Sequence, residues 1–227
     1  MGEEKPKIYK RIGAFIIDIL IVSLLSGIIT MTFTDTTKYT DVTKEMTDIM
    51  RKYQTKEMDI EEYNARFKEL NYESVSSSIN VTIITLAVTI VYYVIMPYFC
   101  HGITLGKSLM KIRMISNNYE ELNILNYFLR SLIINSVLSS ATIIIMFYSL
   151  SKNDYINIES KVNGIISLLF IVSLILVMYR KDGRGLHDII ANTKVVNIDY
   201  KKEDEDEKLK EATVISEKKK TKKEEGK

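Results

Sequence analysis

Residues 12–33 read IGAFIIDILIVSLLSGIITMTF, an apolar run whose single charge is Asp18. About 20 apolar residues in a helix cross the roughly 30 Å hydrocarbon core of a bilayer, so this stretch is long enough to span one. Three further blocks have the same character, 79–99, 131–150 and 162–179, and none of them carries a charge. A soluble domain would spread its apolar residues at a period of 2 or 3.6. In this 227-residue chain they come in blocks separated by segments dense in Lys, Glu and Asp. The pattern predicts an all-α integral membrane protein with about four transmembrane helices. The positive segment Lys5, Lys7, Lys10 and Arg11 also fits the start of a signal peptide. The apolar run behind it is too long for that and has no convincing cleavage site, so a retained helix is expected.

Positive charge near the ends of the spans sets their orientation. Lys5, Lys7, Lys10 and Arg11 precede the first block; Lys107, Lys111, Arg113 and Arg130 lie between the second and third; Arg180, Lys181 and Arg184 follow the fourth. These segments, and with them both termini, are expected in the cytoplasm. Tyr92, Tyr93, Tyr98 and Tyr179 then fall where an interfacial aromatic belt would sit. The expected organisation is a cytoplasmic segment 1–11, a transmembrane domain 12–199 and a charged tail 200–227. The tail's mixed Lys/Glu composition predicts disorder, and its basic cluster 218–223 is a candidate contact for anionic lipid.

Residues 34–77 form a long outer insertion that reads as an extracytoplasmic helical hairpin. Asp59 and Glu62 resemble a capping box. Ile60, Tyr63, Phe67 and Leu70 then share one helical face, and Met46, Ile49, Met50 and Tyr53 form a matching upstream stripe. On the inner side, 111–115 and 193–197 are β-branched stretches expected to pair as a small cytoplasmic sheet.

Several function classes are excluded or left without support. Cys100 is the single cysteine and His101 and His187 the only histidines, so no multi-cysteine or all-histidine metal site is expected. The net charge of +2 comes without a basic, aromatic-studded face, which argues against nucleic acid. Gly102 and Gly106, followed by Lys107 and Ser108, superficially resemble a phosphate loop, yet three residues separate the glycines where the motif needs four. With no zinc-protease or nucleophile-elbow motif either, the chain is not expected to be an enzyme or to carry a cofactor.

Asp18 is the residue most indicative of chemistry, because a carboxylate inside a span is costly and by default marks a functional site with a partner. Arg11 lies two turns earlier on nearly the same face, about 10 Å along the axis. Arg130 is the better-placed counter-charge. Gly13 and Ala14 would admit a neighbouring helix. The alternative is an Asp–Arg clamp that only fixes packing. Ser131, Asn135, Ser139 and Thr142 form one polar stripe, and Thr82, Thr85 and Thr89 another. Facing Asp18 they would line a path; otherwise they are interhelical glue.

Three elements in this order resemble the RDD family of small membrane proteins. They are Arg11 to Asp18 with Ala14 and Ile17; Gly102, Thr104, Gly106, Lys107 and Arg113; and Gly185-Leu186-His187-Asp188 with Ala191, Thr193, Val195 and Val196. By this resemblance Arg11, Asp18 and Asp188 are the name-giving residues. Asn192 stands where the family commonly has glycine, Ile189 where a basic residue is frequent, and the outer insertion is unusually long. The resemblance implies a part in transport, with cation/proton exchange proposed for some members.

Two functions fit these residues. In the first, the chain is a multi-pass cell-membrane transporter or ion/proton exchange component, working on a small cation or proton as a homo-oligomer or with a membrane partner. Asp18 would carry the ion, supported by Arg130, Asn135, His187, Gly102, Gly106 and Lys107. In the second it is a non-transporting scaffold or accessory subunit. His187 is expected to be an ordinary interfacial histidine, with a pH-sensing gate as the alternative.

Overall fold

The computed structural model describes residues 5–118 and 121–198. The chain runs α1 (Ile8–Phe33), α2 (Thr37–Gln54), α3 (Ile60–Ile90), a π-helical turn (Val91–Ile95), α4 (Met96–Phe99), α5 (Leu105–Leu109) and β1 (Ile112–Ser116). It continues through α6 (Ile124–Ile134), α7 (Val137–Ser149), α8 (Lys152–Tyr179), α9 (Leu186–Ile190) and β2 (Thr193–Asn197). The charged tail expected to be disordered lies outside the described residues.

Three helical stretches are long and apolar enough to cross a membrane: α1, the 40 residues from α3 through α4, and α8. A fourth is present if α6 and α7 form one span. In place of the straight helix expected over 131–150, these two meet at 77°. Ser136 takes a left-handed φ of +58°, and Asn135 leaves the helical path with its amide turned back to Ser131 Oγ at 3.3 Å. Nothing in the apolar run marks this break.

Only a thin stripe of α1 is buried: Ala14, Asp18, Val22, Ser26 and Thr30, four residues apart. Residues at that spacing lie one above another on a helix. Leu20, Leu24 and Ile28, on other faces, stay exposed. The most apolar window of α8 is only 6% buried. Such surfaces are stable against hydrocarbon and unfavourable in water.

The long insertion is a helical hairpin whose second arm continues without interruption into the second span, because both belong to α3. Asp59 caps that helix by accepting the N–H groups of Glu61 and Glu62 at 2.8 and 2.9 Å. Val42, Ile49 and Leu70 form the hairpin core, with Met46 and Tyr63 packed against it. Met50 and Ile60, from the same expected stripes, remain exposed.

The two strands pair antiparallel, with Met114 opposite Val195. Ile112 and Val195 pack on Ala14 of α1, while Met114 packs on Val94 and Tyr127. The sheet thus ties the middle and the end of the chain to the beginning of α1, next to both buried carboxylates.

Candidate functional site

Asp18 is 2% exposed and has three donors. Its Oδ1 accepts the Tyr92 hydroxyl at 2.6 Å and the Gly106 N–H at 2.7 Å, and its Oδ2 accepts the Thr104 hydroxyl at 2.6 Å. Each donor is delivered by a local backbone device. Tyr92 sits on the π-helical turn, a distortion found often at functional sites. Gly102, at φ +85°, lets the chain reverse, and a Cβ there would come within 2.0 Å of the Met114 carbonyl oxygen. At Gly106 a Cβ would meet Ala14 O at 2.3 Å and Asp18 Oδ1 at 2.7 Å, so only glycine brings this backbone N–H onto the carboxylate. Tyr92 is therefore no member of an interfacial belt; it is buried against Asp18.

Neither arginine expected beside Asp18 pairs with it. Both grip Asp188, which has no exposed surface. Arg11 Nη2 donates to Asp188 Oδ2 at 2.8 Å and its Nη1 to the Gly183 carbonyl, while Arg130 Nη1 pairs with Asp188 Oδ1. Thr193 Oγ1 donates to Oδ1 at 3.2 Å and the Gly185 N–H to Oδ2 at 3.3 Å. The packing of α6 on α9 carries Arg130 to this carboxylate.

His187 is not interfacial. It is 2% exposed, with Nε2 3.3 Å from Asp188 Oδ2 and Nδ1 2.5 Å from Ser173 Oγ. Burial, reinforced by the positive charges of Arg130, Arg11 and Lys107, holds its pKa well below the usual histidine value. The neutral ring with its proton on Nε2 satisfies both neighbours.

Lys107 follows Gly106, is half-buried, and feels the charges of Arg130, Asp18 and Arg11. Burial pushes its pKa down to about 7; Arg130 adds to the fall, Asp18 opposes it and Arg11 adds a little more. With Lys107 neutral, Arg11 and Arg130 balance Asp18 and Asp188. Protonating it adds one positive charge to a low-dielectric cluster, which is the electrostatic reason the ammonium form is disfavoured.

Members of the two hydroxyl stripes bond within their own helices. Thr82 and Thr89 turn back on the carbonyls of Ser78 and Thr85 in their own helix. Asn135 spends its amide on Ser131 at the α6–α7 break. A different row of hydroxyls is buried. Ser26, Thr30 and Thr34 have buried hydroxyl oxygens with no hydrogen-bond partner among the described residues, as does Tyr93. Ser26 and Thr30 lie on the Asp18 face of α1, two and three four-residue steps beyond Asp18 with Val22 between, and that spacing was the available signal. Among the described residues no group of His, Cys, Asp and Glu could hold a metal ion.

Apolar helices of spanning length, joined at one end by a buried cluster of two carboxylates, two arginines, a histidine and a lysine, define a small helical membrane protein. The chain belongs to the RDD family, whose model matches residues 5–192. Comparison with curated proteins and with solved structures gives no match. The Arg11, Asp18 and Asp188 singled out by the resemblance all fall in the buried cluster. Asn192, standing where the family commonly has glycine, takes a left-handed φ of +51°, a conformation glycine adopts freely and asparagine tolerates.

Proposed function

We propose that the chain is a multi-pass cell-membrane protein that exchanges protons for a small cation, with both termini in the cytoplasm. The observation that carries this reading is the row of buried hydroxyls without partners among the described residues, Ser26, Thr30 and Thr34, which lies beyond Val22 on the Asp18 face of α1. A buried polar atom left without a partner costs about 1–3 kcal/mol. Such groups call for an explanation, and an ion or water path is one. Asp18 would hold the cation with the Tyr92 and Thr104 oxygens, their hydroxyl hydrogens turning away. Lys107, titrating near neutrality, would carry the proton. One proton leaves Lys107 as one monovalent cation arrives at Asp18, so the charge of the cluster is conserved. Four spans are few for alternating access within one chain, and a homo-oligomer or a membrane partner would complete the path.

One observation favours a second reading, a non-transporting scaffold or accessory subunit. Asp18 already has three good donors, which is what a structural clamp requires. Asp18→Asn in cells separates the two. Normal amounts of folded protein with altered salt or pH tolerance support exchange, whereas loss of folded protein supports the clamp.

A further inference from the structure

A cavity of about 270 Å³ lies where the chain enters α1 beside the end of α8. Its lining combines two chemistries, the basic Lys5, Lys7 and Arg11 and the apolar Ile8, Val177 and Met178. The cavity is small for a drug-sized ligand, whose sites run from roughly 300 to 1,000 Å³. It opens beside faces of α1 and α8 where Ile12, Leu174 and Met178 are exposed, so its apolar lining continues toward the hydrocarbon.

We infer that this cavity holds the phosphodiester headgroup of an anionic phospholipid, with the acyl chains running down the exposed faces of α1 and α8. The basic side chains differ in what they have left to offer. Arg11 is committed to Asp188 and Gly183 and supplies mainly charge. Lys5 gives one N–H to the Arg180 carbonyl at 3.2 Å and keeps two. Lys7 is exposed; its carbonyl accepts the Lys10 N–H at 3.0 Å, while its side chain makes no hydrogen bond or ion pair among the described residues and keeps all three. It also occupies the N-cap position of α1, where no side chain satisfies the first-turn N–H groups, so the helix end adds to the positive potential. Buried Pro6 holds this segment against the body of the molecule. Basic pockets between helices at the bilayer surface suit anionic headgroups, and long lysine side chains reach the headgroup layer while their stems stay apolar. The site stands apart from ion exchange and survives the scaffold reading.

The test is lipid selectivity of the full chain in phosphatidylcholine bilayers, read by electron spin resonance from trace spin-labelled phosphatidylglycerol or phosphatidylcholine. The wild type should prefer phosphatidylglycerol by about fivefold, the order expected for one well-placed lysine. Lys7→Gln should remove most of that preference with an unchanged thermal midpoint, since the Lys7 side chain has no hydrogen bond or ion pair among the described residues to lose. Lys181→Gln, which removes a nearby charge outside the cavity, should keep it. Equal loss in both variants would mean a diffuse surface field and overturn the site. So would the absence of any preference in the wild type. Displacement of the labelled lipid by inorganic phosphate at constant ionic strength would identify a free-phosphate site and overturn the lipid assignment.

Discussion

Arg11 Nη2 lies 2.8 Å from Asp188 Oδ2, a bond between residues 177 positions apart that closes the first helix onto the last. Because Arg130 holds the other carboxylate oxygen, one side chain keeps α1, α6 and α9 in register. Removing one member of a buried ionic group leaves the others unpaired, at a cost of about 3–5 kcal/mol. Asp188→Asn should lower unfolding stability in detergent by that order, and Arg11→Lys should also destabilise, because a single ammonium cannot reach both Asp188 and Gly183. A thermal midpoint unchanged in Asp188→Asn would show that the cluster does not hold the fold together.

Gly106 tests the approach of α5 to α1. Gly106→Ala should cost about 1–3 kcal/mol, the usual range for overpacking, and should weaken the Asp18 site with it. Gly27 in α1 has open space where a Cβ would go. Gly27→Ala should therefore be neutral or stabilise by up to about 1 kcal/mol. Similar thermal midpoints for the two variants would contradict the packing described.

Asn192 offers a backbone test. Its φ of +51° predicts that Asn192→Gly folds at least as well as the wild type. Asn192→Val should lose about 1–2 kcal/mol, the left-handed penalty for a residue with a Cβ. Denaturant unfolding of the two variants checks both.

Lys107 should leave a mark on the pH dependence of stability. Its pKa is near 10.5 in the unfolded chain and about 7 in the fold. Between these values the unfolded state binds more protons, so stability must rise with pH. The lysine's contribution is fully present above 10.5 and is lost as pH falls through 7. Lys107→Met should flatten the wild-type rise between pH 7 and 10 in thermal midpoints. An unchanged slope would show that Lys107 is ordinarily solvated.

Much of the fold was legible because hydrophobic blocks report bilayer crossing directly. Residues 12–33 and 162–179 fall inside α1 and α8, and β-branched 193–197 is β2. The break at Asn135–Ser136 was hidden, since it depends on one left-handed residue inside an apolar run. The site was legible as a set of residues and misread as a set of pairs. Arg11, Asp18, Arg130 and Asp188 were each singled out, but distance along a helix axis says nothing of which distant segment returns to meet it. The small turn at Gly102 sends Thr104 and Gly106 to Asp18, and α9 sends Asp188 to the arginines. The Ser26 and Thr30 hydroxyls passed unnoticed because single hydroxyls in apolar helices usually bond to their own backbone, as Thr32 does.

The central claim is exchange through Asp18, and the most direct measurement is ion-driven proton movement in proteoliposomes. Wild type and Asp18→Asn would be compared at matched protein content and matched folding, with a pH-sensitive dye in the lumen and pulses of sodium, lithium or potassium. Proton flux in the wild type that disappears in the folded variant is the expected result. Equal flux in both proteins, or none in the wild type with any of these cations across pH 6 to 9, would contradict it.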